Sequence, residues 1–160
     1  MINKRAVRYG KDRLFEQVPD GAIIAATRKD LTLLYDTKAY KGGYSISSDD
    51  IERYANYINT FNQKYESYVG RVYSFLLISG NFKQGQKSLK QRSEQLYSKC
   101  QTTLTCITSI EIGEIVQTLK STPKMRESIN WRRVFSSLRN IKVLVEKEIK
   151  QIQKDRVLGE

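Results

Sequence analysis

The sequence predicts a mainly α protein: a bundle of three or more long helices carrying a small N-terminal β-hairpin and an extended basic arm. Two patterns and a length point there. Ile51, Tyr54, Ile58, Phe61, Tyr65, Tyr68, Val72 and Phe75 recur at alternating intervals of three and four, which is one face of a long amphipathic helix. Trp131, Val134, Leu138, Ile141, Val145 and Ile152 follow nearly the same period. A chain of 160 residues holds one ordinary domain with a real core. The reading divides it into a basic arm and hairpin docking segment over residues 1–46 and a helical bundle over 47–160.

Residues 1–18 read as a basic, irregular arm closed by the turn signal Pro19-Asp20-Gly21. The arm has few apolar side chains, so burial hardly offsets the roughly 1–2 kcal/mol per residue needed to order a backbone, and it is expected to dock on a partner. Ala22 to Thr27 and Leu31 to Tyr35 are short apolar segments around Arg28-Lys29-Asp30, a pattern that suits a β-hairpin with a polar loop. An isolated hairpin is marginal in water, so this one must lie on the helical body or join a neighbour's sheet. Gly42-Gly43 punctuates a loop, and Ser47-Ser48-Asp49-Asp50 supplies hydroxyl caps and acidic dipole partners for a helix over 48–79. Gly80 and Gly85 bracket a break. A second helix is expected over 83–106 with Leu89, Leu96, Cys100 and Leu104 on one face, although the β-branched run from Thr102 to Thr108 weakens its end. Thr108 with Glu111 makes a capping box for a short helix to Leu119. Thr122-Pro123 is a cap and first turn leading to the last long helix, expected to pack over 128–156.

Net charge is +11 and the sequence pI about 9.7, an excess that favours acidic partners. It is clustered in Lys4, Arg5, Arg8, Lys11 and Arg13, in Lys83, Lys87, Lys90, Arg92 and Lys99, and in the stretch from Lys120 to Arg139. Cys100 and Cys106 would sit about 600° apart around a continuous helix, so two buried thiols are expected rather than a disulfide. Histidine is absent, which excludes Ser-His-Asp and Cys-His catalysis and histidine-ligated metals within this chain. The basic N-terminus lacks the apolar stretch of a signal peptide, and the longest apolar run, Phe75 to Ile78, is too short to span a bilayer. An intracellular or virion location without membrane contact is expected.

Three segments carry candidate chemistry. Gly80-Asn-Phe-Lys-Gln-Gly85-Gln-Lys87-Ser88 nearly matches a phosphate-binding loop, but Gln86 displaces the lysine that should follow the second glycine. A plain helix–turn–helix connection is the simpler reading. Asp49, Asp50 and Glu52 could hold a divalent ion, yet acids in a first helical turn are ordinary dipole complements. Pro19-Asp20 followed by Asp36-Thr37-Lys38 resembles the PD-(D/E)xK nucleases, a resemblance that implies two carboxylates on magnesium and a lysine that helps to activate water. That family needs a mixed sheet of about four strands and the sequence supplies two, so Asp20 is read as a turn residue and Asp36 as a strand end.

Among the tyrosines, Tyr54, Tyr65 and Tyr68 share the apolar stripe and are expected in the core, while Tyr57, Tyr73 and Tyr97 are the candidates for an exposed, base-stacking surface. The segment from Val18 to Thr27 with Leu33-Leu34-Tyr35 resembles a hairpin of tailed-phage virion structural proteins, and that resemblance implies an assembly subunit without catalysis. The reading is therefore a non-enzymatic structural or assembly subunit of a larger, oligomeric complex, such as a phage neck, tail or baseplate component. The alternative is a basic helical nucleic-acid-binding subunit of a ribonucleoprotein complex. No catalytic, cofactor-binding or metal-ligating residue is assigned and no cofactor is expected. The partner-binding candidates are Lys4, Arg5, Arg8, Lys11, Arg13, Lys83, Lys87, Lys90, Trp131, Arg132 and Arg133.

Overall fold

The computed structural model describes residues 4–8, 18–25 and 31–158. The fold is α/β, which corrects the expected bundle of long helices. Its centre is a five-stranded mixed sheet in sequential order, β1 (Lys4–Arg8), β2 (Gly21–Ala25), β3 (Thr32–Lys38), β4 (Val72–Ser79) and β5 (Thr103–Thr108). β1, β2 and β3 pair antiparallel, and β3, β4 and β5 pair parallel. The hairpin is there as β2 and β3, but it lies inside the sheet instead of decorating a helical body. Lys4–Arg8 forms its edge strand, so that part of the expected irregular arm is regular. The loop Arg28-Lys29-Asp30 lies outside the described residues.

α1 (Ser48–Val69) begins at the expected hydroxyl cap, which closes into a capping box: the Ser47 side chain accepts from Asp50 N, and Asp50 returns a bond to the Ser47 backbone. It ends at Val69, ten residues before the expected stop at Ser79, and is followed by Gly70, whose φ of 80° takes the chain into a region that glycine adopts cheaply. Val72 and Phe75 continue the helical spacing by coincidence, from strand β4. α2 (Gln86–Cys100) stops at Gln101 in the left-handed region, and the β-branched residues after it form β5 rather than a weak helix end. The chain from Gly80 to Gly85 thus joins a strand to a helix, not two helices. α3 (Ser109–Ser121) starts at the expected Thr108 cap, with Glu111 N donating to Thr108 Oγ1. The last expected helix is broken: α4 (Trp131–Val134) is a single turn, and α5 (Ile141–Leu158) restarts after Asn140 at a φ of 63°.

The helices cover both faces. α1 and α2 bridge β3 to β4 and β4 to β5, two crossovers in one direction, and their residues Ile51, Tyr54, Ile58, Phe61, Leu89 and Leu96 close on Ala22, Leu34, Phe75, Leu77, Leu104 and Cys106. On the other face Leu76 and Ile107 meet Ile115 of α3, Val134 of α4 and Ile141, Val145 and Ile149 of α5. Strands buried on both sides read as continuous apolar runs without alternation, which is why β4 and β5 gave no strand signal. The outer edge of β5 is covered: Cys106 N donates to Leu138 O at 2.8 Å, and Thr105 Oγ1 bonds Phe135 O and Ser137 O. Both cysteines are free and buried as expected, and burial pushes the Cys106 thiol up to about 12.

Candidate active site

Gly21 opposes Tyr35 across β2 and β3, so one step further places Asp20 beside Asp36. Directly opposed residues share a face, as do residues two apart on one strand. Asp20, Asp36 and Lys38 therefore continue the row of Ala22 and Leu34 on the α1 side, at the point where the apolar core gives way to polar groups. β2 begins only at Gly21, so the backbone N–H of Thr37 lacks a strand partner there. The Asp20 carboxylate replaces it, with Oδ2 accepting from Thr37 N at 2.7 Å and also from Thr37 Oγ1.

Asp36 is only 5% exposed. Its buried Oδ2 lies 2.6 Å from Lys38 Nζ, a charge-assisted ion pair. Burial pushes the Asp36 carboxyl above its ordinary value; the Lys38 ammonium opposes the rise and the neighbouring Asp20 adds to it. Lys38 in turn is held from behind. Its Nζ stands 5.9 Å from the centre of the Tyr44 ring, and the Tyr44 hydroxyl is 3.0 Å from that of Tyr54, a fully buried residue stacked on Phe75. Burial pushes both hydroxyls up, so they act as neutral hydrogen-bonding groups. Burial also raises Asp50, yet hydrogen bonds from Tyr44 and Ser47 outweigh it and hold that carboxyl below the usual range.

The donor set suits a hard divalent cation. Magnesium keeps several of its waters and takes one or two carboxylates, and Asp20 and Asp36 bring two carboxylates to adjacent positions on one sheet face. Among the described residues no group of three or more His, Cys, Asp or Glu could cage a metal, so a cation here would be held by two carboxylates and its own waters. Two of the three acids in the first turn of α1 are spent on the protein itself, Asp50 on Ser47 and Arg53, and Glu52 on Lys99 at 2.7 Å. The glycine loop before α2 is likewise occupied, since Gln84 bonds both backbone groups of Ile46.

The partner-binding candidates scatter. Lys4, Arg5 and Arg8 lie on edge strand β1, while Lys11 and Arg13 lie outside the described residues. Lys83, Lys87 and Lys90 are exposed before and along α2. Trp131, Arg132 and Arg133 belong to α4 on the opposite face of the sheet. Trp131 stacks on Phe135, Arg132 lies 4.7 Å over the Tyr73 ring, and Arg133 pairs with Glu148 at 3.2 Å. The tyrosines also depart from expectation, because Tyr65 and Tyr68 are exposed and Tyr57 is buried. The candidate site residues left unassigned by the sequence are Asp20, Asp36 and Lys38, whose residue order was visible but was set aside for want of strands.

Comparison with family models matches "FokI, cleavage domain" over residues 4–142. Neither a curated protein nor a solved structure matches the chain. The family match overturns the resemblance to phage virion proteins, the structural or assembly role and the non-enzymatic assignment, because a restriction nuclease domain is an enzyme that acts on DNA. It favours nucleic acid among the expected partners. No helix among the described residues is long and apolar enough to cross a membrane. The match runs from β1 through all five strands into the start of α5 and takes in Asp20, Asp36 and Lys38, so the chain belongs to the FokI cleavage domain family.

Proposed function

We propose that this chain hydrolyses DNA phosphodiester bonds, with Asp20 and Asp36 as the metal-holding carboxylates and Lys38 as the cationic group at the reacting phosphate. The observation that carries the reading is the convergence of these three side chains on one sheet face, with Asp36 buried and its Oδ2 2.6 Å from Lys38 Nζ. A bound divalent cation would supply Lewis-acid polarisation of the phosphate and a more acidic water. The protein contributes orientation and charge. Thr37 fixes the Asp20 carboxylate through two hydrogen bonds, and burial shields Asp36 from bulk water. Lys38 is placed to neutralise charge that grows on the phosphate as water adds to phosphorus and an ester oxygen leaves. Its position is set by the Asp36 carboxylate and the Tyr44 ring.

The test is cleavage of supercoiled plasmid in magnesium buffer, with and without chelator. Purified protein should nick or linearise the plasmid, and the chelator should stop it. Asp36→Asn and Lys38→Ala should each lower the rate by roughly 100-fold or more, the scale of a lost transition-state contact. Cleavage that persists in chelator, or Asp36→Asn cutting at the parent rate, would remove the proposal.

A further inference from the structure

We infer that the depression beside Lys38 is a nucleotide subsite, in which Tyr40 packs on the nucleotide flanking the cleaved phosphate and Lys41 meets the next phosphate; this rests on the nuclease reading above. The depression has a volume of about 570 Å³ and is bordered by Lys38, Tyr40, Lys41, Gly80 and Ser109. It opens at the carboxyl ends of β3 and β4, where ligand crevices of α/β sheets lie, and its size falls in the roughly 300–1,000 Å³ range of small-molecule sites. Because Lys38 borders it and also pairs with Asp36, whatever occupies it adjoins the reacting phosphate. No carboxylate lines it, so its charge suits a polyanion.

Tyr40 is the feature that selects a nucleotide over a bare anion. Its ring is 60% exposed, a cost in water that a partner would relieve. It is also set in place beforehand, stacked on Tyr44 with ring centres 5.4 Å apart and planes 26° from parallel. Tyr44 cannot yield easily: its N–H donates to Asn81 O at 2.8 Å, its carbonyl accepts from Lys83 N at 3.0 Å, and its hydroxyl meets Tyr54. A rigid aromatic platform with one open side stacks on bases or packs on sugars with little ordering cost. Gly80 leaves the opposite rim open, since a Cβ added there would meet nothing within 4 Å.

The experiment is fluorescence anisotropy with labelled DNA in chelator, so that nothing is cleaved, using an intact duplex and a duplex carrying a short single-stranded gap. The variants are Tyr40→Ala and Gly80→Leu, the second adding bulk at the rim without touching the fold, with Tyr68→Ala as a control for losing an exposed aromatic at the far end of α1. Tyr40→Ala should weaken binding by roughly 5- to 100-fold, the range of one lost stacking contact, and Gly80→Leu should weaken it in the same direction. Loss on the gapped duplex alone identifies an unpaired base as the occupant, and loss on both identifies the sugar edge of a paired nucleotide. Parent-like binding by both variants, equal weakening by Tyr68→Ala, or no binding by the parent protein overturns the subsite. A parent that binds and shows the Tyr40 effect, but never cleaves when magnesium is added, leaves the subsite standing and removes the nuclease reading.

Discussion

Asp36 meets two opposed demands, one from folding and one from chemistry. Burial favours its protonated form, whereas a cation needs the carboxylate. In metal-free protein the native state therefore holds the proton more tightly than the unfolded chain does. The stability that this proton contributes is full below the ordinary 3.8 and is lost as pH rises through the higher folded-state value. Asp36→Asn removes the loss, so its thermal midpoint without metal should exceed the parent's at neutral pH, with the gap closing as pH falls towards 3.8. Magnesium should act in the other direction: it should raise the parent's midpoint more at neutral than at acidic pH, and barely move that of Asp36→Asn. Parallel melting curves for the two proteins across pH would mean that Asp36 is not the strained group. The residue order Asp20, Asp36, Lys38 was legible in the sequence because the chemistry needs few atoms. Their support by Tyr44 and Tyr54 was not, because hydroxyls meeting across a loop and a helix leave no spacing signal.

Elements were legible where a local bond defines them and misread where period alone did. Both capping signals, at Ser47 and Thr108, stand where hydroxyls meet backbone donors three residues on. Ser47→Ala should cost about 1 kcal/mol, the usual effect of losing an N-cap, and it should also free Asp50, which Ser47 helps to hold. A chemical denaturation midpoint equal to the parent's would show the box to be dispensable. By contrast, the spacing from Ile51 to Phe75 passes unbroken through Gly70, although Tyr65 and Tyr68 face water and Phe75 belongs to a strand. The available signal was Gly70 followed by eight residues rich in β-branched, aromatic and aliphatic side chains, the composition of a strand buried on both faces. Phe61 does lie in the core, so Phe61→Ala should lower stability by about 3–5 kcal/mol. Tyr68→Ala, on the same stripe, should change it little. Equal losses from the two would restore the long-helix reading.

At the scale of the whole molecule the sheet sorts the basic residues in a way that linear charge clusters could not reveal. Lys83, Lys87 and Lys90 extend from the loop beside Gly42 along α2, the helix that packs on the same sheet face as Asp20, Asp36 and Lys38. Arg132 and Arg133 stand across the sheet on α4, where the first packs on Tyr73 and the second on Glu148. A duplex lying over the carboxylates is therefore expected to meet the α2 lysines and not the α4 arginines. Each phosphate contact releases condensed counterions, so the log–log slope of DNA affinity against salt should be steep and should flatten by about 0.9 for each contact removed. Lys83→Glu, Lys87→Glu and Lys90→Glu together should weaken binding at every sequence tested and flatten that slope. Arg132→Glu with Arg133→Glu should leave the slope near the parent's. The reverse result would place DNA on the α4 face, away from Asp36, and would separate the basic surface of this protein from its candidate catalytic centre.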